Sequence, residues 1–64
     1  MDTNKDIGKA MKRAREEKNL MQSEVAEKVG IHTNYYARIE RGYMPSFTTL
    51  EKISKVLGLK ISVS

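Results

Sequence analysis

The chain has no cysteine, no tryptophan, a single histidine, a single proline and no aliphatic run longer than two residues, as at Val56-Leu57. Without cysteine there is no disulfide framework and no thiolate metal site. One histidine, His32, does not make a structural zinc site on its own, so no metal and no cofactor are expected. The short apolar runs exclude a transmembrane helix and a signal peptide, which points to a cytoplasmic protein. At 64 residues there is room for one small domain, without a second core or a large enzymatic cleft. Only about 60% of the unfolded surface is buried at this size, so stability is modest and a dimer partner helps.

What is present is a globular composition, 39% hydrophobic and 31% charged. The formal charge is +4, and the isoelectric point lies near 9.6. A basic balance permits nucleic-acid binding without establishing it. The charge is spread out: residues 1–20 and 46–64 are each net positive, whereas Lys28, Arg38 and Arg41 are offset by Glu24, Glu27 and Glu40. There is no polybasic tail, so recognition has to come from placed side chains.

Periodicity predicts four helices. Ile7, Ala10, Met11 and Ala14 form the apolar stripe of a first helix from Thr3 to about Asn19. Thr3 and Asp6 resemble a capping box there, and Asn19 tolerates the left-handed turn that lets Leu20 fold back. A second helix, about Gln22 to Val29, buries Val25, Ala26 and Val29, with Glu24 and Lys28 paired outside. A third runs from about Thr33 to Arg41 with Tyr36 and Ile39 inward, stopped by Gly42. Ser46 is the expected N-cap of a fourth, about Phe47 to Leu57, with Leu50, Ile53 and Leu57 inward and Gly58 ending it. The last residues, Leu59-Lys60-Ile61-Ser62-Val63-Ser64, alternate apolar and polar, which is a strand pattern. A short fifth helix from Ile61 is the competing reading.

The central feature is the joint between the second and third helices, only Gly30-Ile31-His32. So short a joint forces a steep crossing. Ala26 supplies the small residue where the helices meet, Gly30 the positive φ, and Ile31, Tyr36 and Ile39 the buried side. This is the helix-turn-helix arrangement, spanning about residues 22–41, in which the second helix projects its outer face. On that face Asn34, Ala37, Arg38 and Arg41 fall at helical spacing, with Thr33 leading. Arg38 suits guanine O6 and N7, Asn34 suits adenine N6 and N7, and Ala37 with the Thr33 methyl suits a thymine methyl.

Gln-Ser-Glu-Val-Ala-Glu-Lys-Val-Gly-Ile (22–31), Ile-Glu-Arg-Gly (39–42), Pro-Ser (45–46) and Leu50 to Leu57 resemble the Cro/cI-type, Xre-like helix-turn-helix family. That family groups phage repressors, Xre-like regulators, antitoxins and restriction–modification controllers. The resemblance covers about residues 7–59. It implies an all-α, compact four- to five-helix, lambda-repressor-like domain over residues 1–64, binding operator DNA as a homodimer. It implies base contacts from Thr33, Asn34, Ala37 and Arg38, and backbone contacts from Gln22, His32, Tyr35, Arg41 and Tyr43. It also implies a structural ion pair between Arg15 and Glu40, beside the structural residues Ala26, Gly30 and Gly42. Met21 and His32 stand where the family prefers Ser or Thr; each departure loses a cap of about 1 kcal/mol.

Plainer readings stand beside these. Arg41 near a helix C-terminus also favours the helix dipole. Tyr35 packs on Ile39 as readily as it meets phosphate. His32 is read as a surface or capping residue, and Met11, Met21 and Met44 as filler or partly exposed apolar groups. Glu16, Glu17, Glu24 and Glu27 lie among basic neighbours on outward faces, and no catalytic constellation or phosphate-cradling loop occurs, so the chain is not read as an enzyme. The leading expectation is a sequence-specific regulator of double-stranded DNA, most readily a repressor, associated with the nucleoid. Its dimer is expected to form through residues 59–64, two tails pairing edge to edge, and RNA polymerase is one further partner. The alternative is an antitoxin-type module that binds a toxin and whose DNA binding is autoregulatory; only Tyr43-Met44 and the tail offer it an apolar patch. An RNA-binding bundle is disfavoured because it needs exposed stacking aromatics, whereas at least two of Tyr35, Tyr36, Tyr43 and Phe47 are expected to be buried.

Overall fold

A computed structural model describes residues 3–59 and contains four helices: α1 (Thr3–Glu17), α2 (Gln22–Val29), α3 (Thr33–Glu40) and α4 (Phe47–Leu57). No strand occurs among the described residues. The strand or fifth helix expected beyond Leu59 lies outside them, as does the capping role read for the Thr3 side chain. The helices form a body of 28 × 22 × 19 Å, with α1 and α2 each packed against both α3 and α4.

The core follows the predicted periodicity closely. Met11 and Ala14 from α1, Val25, Ala26 and Val29 from α2, Tyr36 and Ile39 from α3, and Leu50, Ile53 and Leu57 from α4 are all buried. Ile7, Leu20, Ile31, Tyr35, Val56 and Leu59 pack around them. One expected stripe residue does not join: Ala10 is exposed, and its place is taken by Gly8, which is buried. The reason is steric, because α1 crosses the end of α3 so closely that only a residue without a side chain fits. A Cβ added at Gly8 would lie 2.9 Å from the Ile39 carbonyl oxygen and closer still to that of Glu40.

Each helix ends the same way, with a left-handed residue (Asn19, Gly30, Gly42, Gly58) after which the chain folds back. The amides of Leu20, Ile31, Tyr43 and Leu59 then donate to the carbonyls of Arg15, Ala26, Arg38 and Ser54 at 2.9–3.1 Å, the Schellman pattern that satisfies orphan carbonyls.

The helix starts differ. Ser46 caps α4 as expected, its hydroxyl accepting from the Thr49 amide at 3.3 Å. No side chain accepts from the first turn of α2 or α3, which begin after Met21 and His32. Glu24 partly compensates in α2 by accepting from the Met21 amide at 2.8 Å, one half of a capping box. That bond was not anticipated, although Glu three residues after a helix start is its sequence signature. Met21 is 63% exposed, so its side chain gives little to packing. Met21→Ser therefore completes the box and is expected to raise stability by about 1 kcal/mol, or roughly 5 °C in Tm. Thermal melts followed by circular dichroism check this; an unchanged or lower Tm contradicts it.

Candidate nucleic-acid interface

The joint between α2 and α3 sets the geometry. Gly30 sits at φ 87°, and its amide and that of Ile31 both donate to the Ala26 carbonyl, at 2.8 and 3.0 Å. Ala26 is buried at the crossing, so α2 and α3 approach closely and the outer face of α3 stands clear of the body.

The far end of α3 is anchored by charge. Arg15 on α1 grips Glu40 bidentately, Nε to Oε2 at 2.7 Å and Nη2 to Oε1 at 3.2 Å. Its Nη1 donates to the Leu20 carbonyl at 2.9 Å. Gln22 Nε2 donates to Glu40 Oε1 at 3.0 Å. The two ionic side chains are only 11% and 4% exposed. Burial by itself raises the Glu40 carboxyl, but Arg15 foremost, by hydrogen bond and charge, with the neighbouring Tyr36 hydroxyl and the Gln22 amide, outweighs it and holds the group below its ordinary value of 4.5. The Arg15 guanidinium is raised in turn, chiefly by its bond to Glu40. Burial also pushes the Tyr36 hydroxyl well up; it lies beside this pair without a hydrogen-bond partner of normal geometry.

The residues read as base contacts lie on the projecting side. Thr33, Asn34 and Arg38 are exposed and Ala37 is half-buried. Of the residues read as backbone contacts, His32, Arg41 and Tyr43 are exposed, whereas Tyr35 and Gln22 are half-buried. Arg41 follows the last turn of α3 rather than lying within it. Gln22 is drawn inward to Glu40, so one of its amide N–H groups serves the scaffold. Sequence reasoning took Gln22 for a phosphate ligand and did not see this tie, which joins residues 18 apart.

Arg38 and Tyr43 are brought together in a way the periodicity did not reveal. The Arg38 guanidinium carbon lies 5.1 Å from the centre of the Tyr43 ring, above it. Tyr43 in turn meets Tyr35 edge to face, with ring centres 5.6 Å apart and planes at 64°. A signal was available, because a Schellman end places the residue after the glycine against the residue five positions before it. Here those residues are Tyr43 and Arg38. The expectation that at least two of the four aromatic side chains are buried is corrected: Tyr36 is buried and Tyr35 half-buried, while Tyr43 and Phe47 are exposed. Tyr43 lies in the α3–α4 connection and Phe47 opens α4, and neither falls on the inward face of α3 that carries Tyr36.

Two surface grooves, lined by Lys18, Leu20, Lys28 and Val56 and by Glu24, Glu27 and Lys28, share no residue with this face. No helix among the described residues is long and apolar enough to cross a membrane.

A family profile described as Helix-turn-helix matches residues 11–63. The chain is 40% identical over 57 residues to the immunity repressor protein of Bacillus phage phi105, covering 88% of this chain and 40% of that protein. It is 38% identical over 60 residues to the same phage's ImmF control region 10 kDa protein, covering 92% of this chain and 67% of that protein. It is 42% identical over 57 residues to the HTH-type transcriptional regulator SinR of Bacillus subtilis (strain 168), covering 86% of this chain and 51% of SinR. The chain thus spans well under two thirds of the immunity repressor and of SinR. No solved structure gives a significant match.

Proposed function

Because the chain belongs to the helix-turn-helix family of Xre-like regulators, we propose that it is a sequence-specific regulator of double-stranded DNA, acting as a repressor. It binds a two-fold operator as a homodimer, with α3 in the major groove and half-sites about one turn, ~34 Å, apart. The observation that carries this is the outer face of α3, where Asn34 and Arg38 are exposed on a helix fixed at both ends. Arg38 grips a guanine and Asn34 an adenine, with Thr33 and Ala37 against thymine methyls. His32, Tyr35 and Arg41, with the free side of Gln22, meet phosphates, which position the protein without reading sequence. The tail 59–64 supplies the dimer contact, and the protein works in the cytoplasm on the nucleoid. Its regulator relatives favour a non-enzymatic role.

A second reading draws on the exposed Tyr43, Met44 and Phe47. This patch suits a protein partner such as a toxin or RNA polymerase, with DNA binding serving autoregulation.

Selection of bound duplexes from a randomised pool at fixed salt tests the first reading. Wild type is expected to yield a palindromic motif. Arg38→Ala is expected to relax it at one or two positions by about 1–3 kcal/mol per half-site. If no motif emerges, the second reading gains; if Arg38→Ala weakens binding evenly across sequences, Arg38 is a phosphate contact.

A further inference from the structure

We propose that Tyr43 is a positioning residue for Arg38: its ring holds the guanidinium ready to read a base, and it thereby sets part of the sequence preference. This rests on the base-reading role of Arg38 proposed above. Arginine is a long side chain, and a bidentate contact demands that its torsions be fixed together, a cost that a pre-set conformation lowers.

The fold supplies that setting through two links to one residue. The Tyr43 amide donates to the Arg38 carbonyl at 3.0 Å, which fixes the start of the loop against the last turn of α3. The Tyr43 ring then lies under the Arg38 guanidinium, 5.1 Å from its carbon. A guanidinium held by its face keeps its in-plane N–H donors available for guanine O6 and N7. Both links depend on Gly42, whose φ of 116° turns the chain back. The platform is itself braced: Tyr35, half-buried and packed on the core, meets the Tyr43 ring edge to face. A run of contacts thus leads from the core through Tyr35 and Tyr43 to Arg38.

This role differs from a phosphate contact by the Tyr43 hydroxyl, because the ring does the work and the hydroxyl is dispensable. The test selects duplexes from a randomised pool at fixed salt with wild type, Arg38→Ala, Tyr43→Phe, Tyr43→Leu and the double variant Arg38→Ala/Tyr43→Leu. Tyr43→Phe is expected to keep the wild-type motif. Tyr43→Leu is expected to relax the same base positions as Arg38→Ala, lowering preference there about threefold to tenfold, and to add nothing at those positions in the double variant. Tyr43 is 46% exposed, so melting temperatures measured alongside should stay near wild type. If Arg38→Ala relaxes the motif and Tyr43→Leu does not, this proposal falls alone. If Tyr43→Phe and Tyr43→Leu both lose affinity evenly, Tyr43 is a phosphate contact and the proposal is overturned. If Arg38→Ala leaves the motif intact, the base-reading role and this proposal fall together.

Discussion

Glu40→Ala should leave the domain largely unfolded at 25 °C and neutral pH. Removing one partner of a buried ion pair costs about 3–5 kcal/mol, and a core of this size supplies a net stability of about that amount. The loss is large here because Glu40 satisfies several groups: the Arg15 guanidinium through two bonds and the Gln22 amide through a third. Urea denaturation followed by circular dichroism checks it, and a variant as stable as wild type contradicts it. Arg15→Met with Glu40→Leu together should recover part of the loss, since no charge is then left buried. Recovery stays incomplete because the Leu20 carbonyl loses its Arg15 donor and Gln22 its acceptor. The pair also sets an acid dependence. The folded-state value of Glu40 lies below its ordinary 4.5, so below that pH the unfolded chain binds the extra proton. The contribution is therefore complete above about pH 5 and is lost as pH falls through the folded-state value. Glu40→Gln, less stable throughout, should show a flatter decline in that acid range.

How much of this was legible in sequence depends on the range of the interaction. Helix positions and nearly all core residues follow from spacings of three and four, which one helix face decides. The left-handed helix ends at Asn19, Gly30, Gly42 and Gly58 follow from residue type, since few others adopt positive φ. The exposed stripe of Thr33, Asn34 and Arg38 followed from the same periodicity. The Arg15–Glu40 tie spans 25 residues and became visible only through family resemblance. Gln22 on Glu40 was missed because a polar residue at a helix start has several uses, and a local pattern does not choose among them. The stack of Arg38 on Tyr43 escapes helical periodicity for a different reason: Tyr43 lies beyond the end of α3, and it is the turn at Gly42 that dictates what its side chain touches.

Gly8 is the clearest case in which local propensity and tertiary contact disagree, and Gly8→Ala makes them compete. In an isolated helix the substitution is favourable by up to about 1 kcal/mol. In this fold the new methyl meets the carbonyls of Ile39 and Glu40, which are backbone atoms of α3 and do not swing away as a flexible side chain would. Overpacking of a core typically costs about 1–3 kcal/mol, and rigid backbone places the site at or above the upper end. The net expectation is a loss of about 2 kcal/mol, or roughly 10 °C in Tm. Part of that loss arises because pushing α1 off the end of α3 lengthens the Arg15–Glu40 contact, which spans the same two elements. Ala10, two residues on and exposed, gives the control. Ala10→Gly meets no neighbour of α3 and should lose about 1 kcal/mol by helix propensity alone. Opposite exchanges at two nearby positions of one helix therefore both destabilise. If thermal melts instead show Gly8→Ala raising Tm while Ala10→Gly lowers it, propensity governs both sites and α1 is not held against α3 by the close approach at Gly8.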